Sequence, residues 1–175
     1  MDLNSKIYVA GHEGLVGSAI WGKLHQLGYK NVIGKSITEM DLNDTEQVNA
    51  FFEKELPEYV ILVAARVGGI QDCLQYPCDF LVQNLQIEMN VFSAAYKYGV
   101  KKLIFISSAC IYPEHTEQPI KEEYMLTGAL ESANEPYGLA KIAGVKGCEM
   151  YNRQYGTNFI AVIPSNLYGP NDNYH

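Results

Sequence analysis

Five short runs of this chain are apolar almost from end to end, and that property most limits how it can fold. They are Lys6-Ile7-Tyr8-Val9-Ala10, Asn31-Val32-Ile33, Tyr59-Val60-Ile61-Leu62-Val63, Lys102-Leu103-Ile104-Phe105-Ile106 and Phe159-Ile160-Ala161-Val162-Ile163. A strand with one face in water alternates apolar and polar residues. A strand apolar throughout needs cover on both faces, the condition of a parallel sheet between two layers of helices. Helical patterns separate the runs. Leu15 to Leu27 ends near Gly28. A start at Asn43, with Glu46 three residues on, precedes Val48, Phe51 and Phe52 at helical spacing. A long helix runs from about Pro77 to Tyr98 and closes at Gly99, and another runs from Tyr137 to Tyr155 and closes at Gly156. Residues 113–136 are polar, contain three prolines and read as a loop. Strand–helix–strand repetition predicts right-handed crossovers and an α/β, doubly wound, Rossmann-like parallel sheet. At 175 residues the chain suits one domain, spanning 1–175, with a real core.

Between the first strand and first helix lies Gly11-His12-Glu13-Gly14-Leu15-Val16-Gly17. Gly11 permits a tight turn, Gly14 lets a pyrophosphate approach the backbone, and Gly17 lets the helix pack closely. The helix N-terminus then offers N–H groups and a positive dipole end to phosphates. The strand before and the helix after give this glycine spacing its meaning. In such a unit an acid after the second strand suits the ribose hydroxyl of NAD, and a base suits the 2′-phosphate of NADP. Lys35, Ser36, Glu39 and Asp41 are the candidates, and they leave both cofactors open.

Tyr137 and Lys141 stand four apart on a predicted helix and share a face. A lysine ammonium beside a tyrosine favours the phenolate and lowers its pKa, so the hydroxyl can exchange a proton with a carbinol or ketone oxygen. Ser107 and Ser108 follow the fourth strand, at the end where open α/β sheets bind ligands. The other tyrosine–lysine pair at this spacing, Tyr98 and Lys102, is split by Gly99 and shares no helical face.

Hydrophobic residues make up 47% and charged residues 19%, the balance of a globular chain. A net charge of −7 argues against nonspecific binding to nucleic acid or to anionic membrane. No apolar run approaches the ~20 residues of a membrane span, and the polar N-terminus predicts no signal peptide. Cys73, Cys78, Cys110 and Cys148 form no C-x-x-C pair, so we expect no metal site and free thiols in a cytoplasmic protein.

Together these residues resemble the extended short-chain dehydrogenase/reductases, and within them the GDP-L-fucose synthases, the 3,5-epimerase/4-reductases of GDP-4-keto-6-deoxymannose. The matching stretches are Ala10-Gly11-His12 with Gly14 to Ile20, Ala64 to Ile70, Cys110-Ile111-Tyr112-Pro113, Asn134-Glu135-Pro136-Tyr137, Ala140 to Gly144, Tyr151 to Gly156, and Pro164 to Pro170 with Asp172-Asn173. The resemblance implies that Tyr137 is the general acid of ketone reduction. Lys141 would hold the nicotinamide ribose and tune Tyr137. Ser108, rather than Ser107, falls at the catalytic serine, and Cys110 at the cysteine used in epimerisation. It also implies a cofactor seat of Gly11, His12, Glu13, Gly14, Leu15, Val16, Gly17, Lys35, Asp41, Leu42, Ile106, Ser107, Ser108, Lys141, Pro164, Ser165, Asn166 and Leu167. The implied cofactor is NADP, with NAD as the alternative; the implied substrate is a GDP-sugar. The implied assembly is a homodimer, and the apolar residues around the long helix, Phe80, Leu81, Leu85, Ile87, Val91, Phe92 and Ala95, suit two partners. Three positions depart from relatives: Glu13 and Ile37 stand where some carry a base, and Ala109 stands where a hydroxyl is common. The family's substrate domain, and the histidine that partners the cysteine, are expected beyond residue 175; His175 does not match that histidine. Competing readings are an NAD-dependent nucleotide-sugar 4-epimerase or 4,6-dehydratase, and a noncatalytic dinucleotide-binding fragment.

Overall fold

The structure, a computed structural model, describes residues 2–172; Asn173 and His175, singled out above, lie outside the described residues. The five apolar runs form five parallel strands: β1 Ile7–Ala10, β2 Val32–Ile33, β3 Tyr59–Leu62, β4 Lys102–Ile106 and β5 Phe159–Val162. Their order is β2-β1-β3-β4-β5. Tyr8 lies opposite Ile33 on one side and Val60 on the other, and Phe105 lies between Leu62 and Ala161. Each strand ends within one residue of the expected bounds.

The helices are α1 Leu15–Gln26, α2 Thr45–Glu55, α3 Ile70–Gln75, α4 Pro77–Lys97 and α5 Glu135–Tyr155. The start of α2 corrects the expectation. Its N-cap is Asp44, not Asn43, and the Asp44 carboxylate accepts from the backbone N–H groups of Glu46 and Gln47 at 2.9 and 3.1 Å. The short helix α3 was not expected, and a turn of 3-10 helix at Glu122–Tyr124 interrupts the 113–136 loop.

The two faces of the sheet differ. On one, Tyr8, Val60, Leu62, Leu103, Phe105 and Phe159 pack with Val48, Phe51 and Phe52 of α2, Val91 and Phe92 of α4, and Val145 of α5. The spacing Phe80, Asn84, Ile87/Glu88, Val91 and Ala95 gives α4 its buried face. Phe92 meets Phe105 edge to face, with centroids 5.5 Å apart; burying each such ring contributes about 1.5–3 kcal/mol. Gly144 and Gly147 of α5 make room for these rings, since a Cβ would come within 2.4 Å of Phe105 and 3.0 Å of Phe92.

On the other face only a small cluster forms, where Leu24, Ile20 and Trp21 of α1 cover Ile7, Val9 and Ile61. Ile160 and Val162 of β5 are 41% and 43% exposed there. The expectation of cover on both faces therefore holds around β1 and fails at β5, because α1 reaches only the β2–β1–β3 half. The outward faces of α4 and α5 also expose apolar side chains, among them Val82, Met89, Tyr96, Leu139, Met150 and Tyr155. Among the described residues no helix is long and apolar enough to cross a membrane.

Candidate active site

All strands are parallel, so their C-terminal ends share one edge of the sheet, and the strand order reverses between β1 and β3. Open α/β sheets bind ligands in the crevice at such a reversal. The expected site segments follow these ends: Gly11–Gly17 after β1, Lys35 to Asp41 after β2, Ser107–Cys110 after β4, and Pro164–Leu167 after β5.

The glycine loop has the form its spacing predicts. Gly11 sits at φ +88°, and a Cβ there would lie 2.7 Å from the Ala64 nitrogen. Gly14 is the N-cap of α1 and brings no side-chain cap, so the N–H groups of the first turn look outward from the helix end. A Cβ on Gly14 would meet nothing nearer than the Gly11 carbonyl at 3.7 Å, so the space over the helix N-terminus is open. Gly17 is closed in: its Cβ would stand 1.9 Å from the Gly11 oxygen. The His12 ring packs between Gly34 and Trp21, 4.9 Å from the Trp21 centroid, and its buried Nδ1 meets no partner among the described residues. An open helix N-terminus, a glycine without a Cβ and an unpartnered ring nitrogen fit a dinucleotide pyrophosphate and its adenosine end.

Beyond β2, Lys35 pairs with Glu39 at 2.9 Å. The Glu39 carboxylate also accepts from the Ser36 backbone N–H, at 2.9 Å, and from its hydroxyl, at 3.1 Å. The Ser36 N–H, and then the Lys35 ammonium, hold the Glu39 carboxyl down to about 2. Part of the charge that Lys35 could offer a phosphate thus already faces a carboxylate. Glu13 and Ile37 are exposed, as is the edge for a ligand here. Asp41 accepts from the Asn43 backbone N–H at 2.8 Å. Leu42 is buried in the core and its carbonyl accepts from Asn90 at 2.8 Å, so its side chain offers nothing to a cofactor.

Near β4 the residues expected to transfer a proton converge. Ser108 caps the turn Ala109–Ile111 by accepting from the Cys110 backbone N–H at 3.3 Å. The Ser107 hydroxyl is buried and donates to the Lys141 carbonyl at 3.4 Å, so of the two serines Ser108 is the more open. Gly138, in the first turn of α5, packs so closely on this turn that a Cβ would lie 2.7 Å from the Cys110 carbonyl. Tyr137 and Lys141 share the inner face of α5, with the ammonium 5.6 Å from the Tyr137 ring centroid.

The direction of the tyrosine's shift differs from the sequence expectation. Burial pushes the Tyr137 phenol above its usual value, and negative charge at Cys110 and Glu88 pushes the same way. Burial is the larger cause, and Lys141, which the spacing set beside Tyr137, turns instead to Glu88, donating to its Oε1 at 3.2 Å, with both side chains almost fully buried. Pro164 is half-buried, while Ser165, Asn166 and Leu167 are exposed along the same edge.

A profile of the NAD dependent epimerase/dehydratase family matches residues 7–175. The chain belongs to this family. It is 53% identical over 174 residues to GDP-L-fucose synthase 1 of Arabidopsis thaliana, covering 99% of this chain and 54% of that protein. It is 48% identical over 170 residues to the GDP-L-fucose synthase of Escherichia coli K12, covering 97% and 53%. Among solved structures, the GDP-mannoheptose C4 reductase MlghC of Campylobacter jejuni, with NADP bound, matches at TM-score 0.95 and 44% identity, covering 99% of this chain and 55% of that one. The chain thus spans about half the length of the relatives it matches.

Within this family member three residues beside the site escaped the sequence reading. Glu88 is the buried partner of Lys141. Asn84 is buried and clamps the loop after β3: its Oδ1 accepts from the Arg66 N–H at 2.9 Å, while its Nδ2 donates to the carbonyls of Arg66 and Phe80 at 3.0 and 2.7 Å. Cys73 of α3 is buried where its thiol meets the Tyr137 backbone N–H and feels Cys110. The available signal was a face: Asn84 and Glu88 recur four apart, in step with Phe80, Ile87 and Val91.

Proposed function

We propose that this chain is the dinucleotide-binding part of a GDP-L-fucose synthase-type oxidoreductase and epimerase, which reduces the C4 ketone of GDP-4-keto-6-deoxymannose with NADPH. One observation carries the reading: the open N-terminus of α1 and the Tyr137–Lys141–Cys110 group occupy the same edge of the sheet. A bound nicotinamide would supply hydride to the ketone carbon. Tyr137, kept a phenol at neutral pH by burial, holds the proton that the carbonyl oxygen takes, and Ser108 hydrogen-bonds that oxygen. Cys110 serves as base at the carbons flanking the ketone, whose protons the carbonyl acidifies. The cofactor seat is Gly11 to Gly17 with Lys35, Ile106, Lys141 and Pro164 to Leu167. The NADP complex of the C4 reductase supports NADP over NAD. The exposed apolar side chains of α4 and α5 suit a second copy, as a homodimer.

Titration with NADPH and NADH, followed by nicotinamide fluorescence, tests the reading. Saturable binding, tighter for NADPH and lost in Gly14→Asp, is the expected result. No binding of either nucleotide by the folded chain overturns it.

A further inference from the structure

The pair formed by Lys141 and Glu88 sits where neither charge would persist alone. Lys141 is 1% exposed and Glu88 0%. The ammonium lies 4.6 Å from the Phe105 centroid and 5.6 Å from that of Tyr137, so aromatic faces line it. Gly144 forms the remaining wall: a Cβ there would come within 2.6 Å of Glu88 Oε2 and 2.4 Å of the Phe105 ring. Glu88 Oε2 itself meets no partner among the described residues. A buried lysine without a counter-ion sheds its proton, and a buried carboxylate without one takes a proton up. Here each opposes that tendency in the other, at 3.2 Å.

We propose that Glu88 is a positioning residue of the site: its carboxylate keeps Lys141 an ammonium beneath the Tyr137 ring and so fixes the charge offered to Tyr137 and to a ligand above it. The inference rests on the reading that Tyr137 and Lys141 serve a bound dinucleotide.

Among the described residues, the surrounding groups leave Glu88 alone in this role. Burial draws Lys141 below its ordinary value, and Glu88 opposes that. Burial pushes Glu88 up to about 7, and Lys141 opposes that. From α5, Tyr137 is pushed up and Cys148 is pushed up to about 12, both first by burial, so both stay neutral near pH 7. From α3, Cys73 is also pushed up by burial. Cys110, on the 3-10 turn after β4, faces Tyr137. β4 contributes Phe105, and the residue after it is Ser107; neither titrates.

The test uses the whole chain with lysine labelled at 13Cε, the Lys141 resonance being assigned by its loss in Lys141→Met. Lys141 is expected to give an ammonium signal at pH 7 in the parent, and a neutral amine there overturns the proposal. In Glu88→Gln its deprotonation is expected to move down by at least one pH unit. NADPH affinity, measured relative to parent, is expected to fall at least tenfold at pH 8 and to recover at pH 6, where Lys141 regains its proton. Glu88→Asp, which keeps the charge, should retain most of the affinity. Equal affinity at both pH values, or an equal loss at both, overturns the proposal, since a merely structural defect would not be rescued by protons. Should Glu88→Gln not fold, the parent signal and the Lys141 titration in Glu88→Asp decide it. A parent that binds no NADPH refutes the functional reading instead, and the lysine titration still decides the ion pair.

Discussion

Replacing Gly14 and Gly17 by alanine, one at a time, should separate cofactor binding from stability within one loop. At Gly17 the new methyl would stand 1.9 Å from the Gly11 carbonyl oxygen, 2.7 Å from its carbon and 2.9 Å from the His12 Cα. All three are backbone atoms, so the loop rather than a flexible side chain has to give way, by more than 1 Å at the oxygen. Overpacking costs about 1–3 kcal/mol, with backbone obstruction at the upper end. The gain from alanine within a helix is about 0.8–1 kcal/mol. The net is a loss of about 2 kcal/mol, or a Tm lower by about 4–8 °C for a domain of this size. At Gly14 the methyl finds its nearest neighbour at 3.7 Å, and φ is −74°, which alanine adopts freely. The gain from a stiffer unfolded chain, about 0.4–1 kcal/mol, is offset by the weaker N-cap, so stability should stay within about 0.5 kcal/mol of parent. The methyl would nonetheless fill the open space over the helix end, and NADPH affinity should fall at least tenfold. Urea unfolding and nicotinamide fluorescence read the two quantities separately. A Gly14→Ala chain that binds NADPH like the parent would refute the pyrophosphate seat. A Gly17→Ala chain as stable as the parent would refute the packing argument.

Asn84→Ala should cost about 2–4 kcal/mol in urea unfolding, because it leaves the Arg66 N–H and carbonyl without their side-chain partner, while the Phe80 carbonyl keeps its helical N–H; a loss under about 1 kcal/mol would mean that water replaces the side chain. In the native chain at pH 8, iodoacetamide should label Cys78 and Cys110 well before Cys73 and Cys148. The first two have exposed or partly exposed thiols, and burial pushes the Cys148 thiol up to about 12; peptide mass mapping showing equal rates for all four would contradict the core packing. Glu39→Gln should lower Tm at pH 7. The Glu39 carboxyl is held down to about 2 in the fold, so its contribution is complete above the ordinary carboxylate range and fades as pH falls toward 2. A Tm gap that persists unchanged in acid would show that the loop does not depend on the Glu39 charge.

The strands were legible because an apolar run such as Leu103 to Ile106 has few alternatives once flanked by turn residues. The glycine loop was legible because its three glycines have separate steric duties in sequence order. By contrast, α3 spans only Ile70–Gln75, too short for a helical period to declare itself between Gly69 and Pro77. The Asn43 start missed by one residue because Asn43 and Asp44 are equally good caps locally, and the choice falls to Asp44 through its reach to two N–H groups. Glu88 was hidden for a different reason: its partner lies 53 residues away on another helix, and nothing local marks an acid on α4 as buried. The Tyr137 phenol is pushed up, where the Tyr–Lys spacing suggested the reverse, first by burial, which the spacing does not reveal, and then by negative charge at Cys110 and Glu88.

The unequal faces of the sheet give this domain a gradient of local stability. The α2–α4–α5 side carries the large cluster around Phe52, Phe92 and Phe105, while the α1 side is held by little more than Leu24, Ile20 and Trp21. Regions with few buried apolar contacts open at low free energy and exchange their amide hydrogens first. α1 is therefore the segment whose amides exchange ahead of those of α4 and α5, and it is also the helix whose N-terminus holds Gly14. A dinucleotide seated there would settle on the less anchored face of the sheet, and part of its binding energy would go into slowing the breathing of that helix.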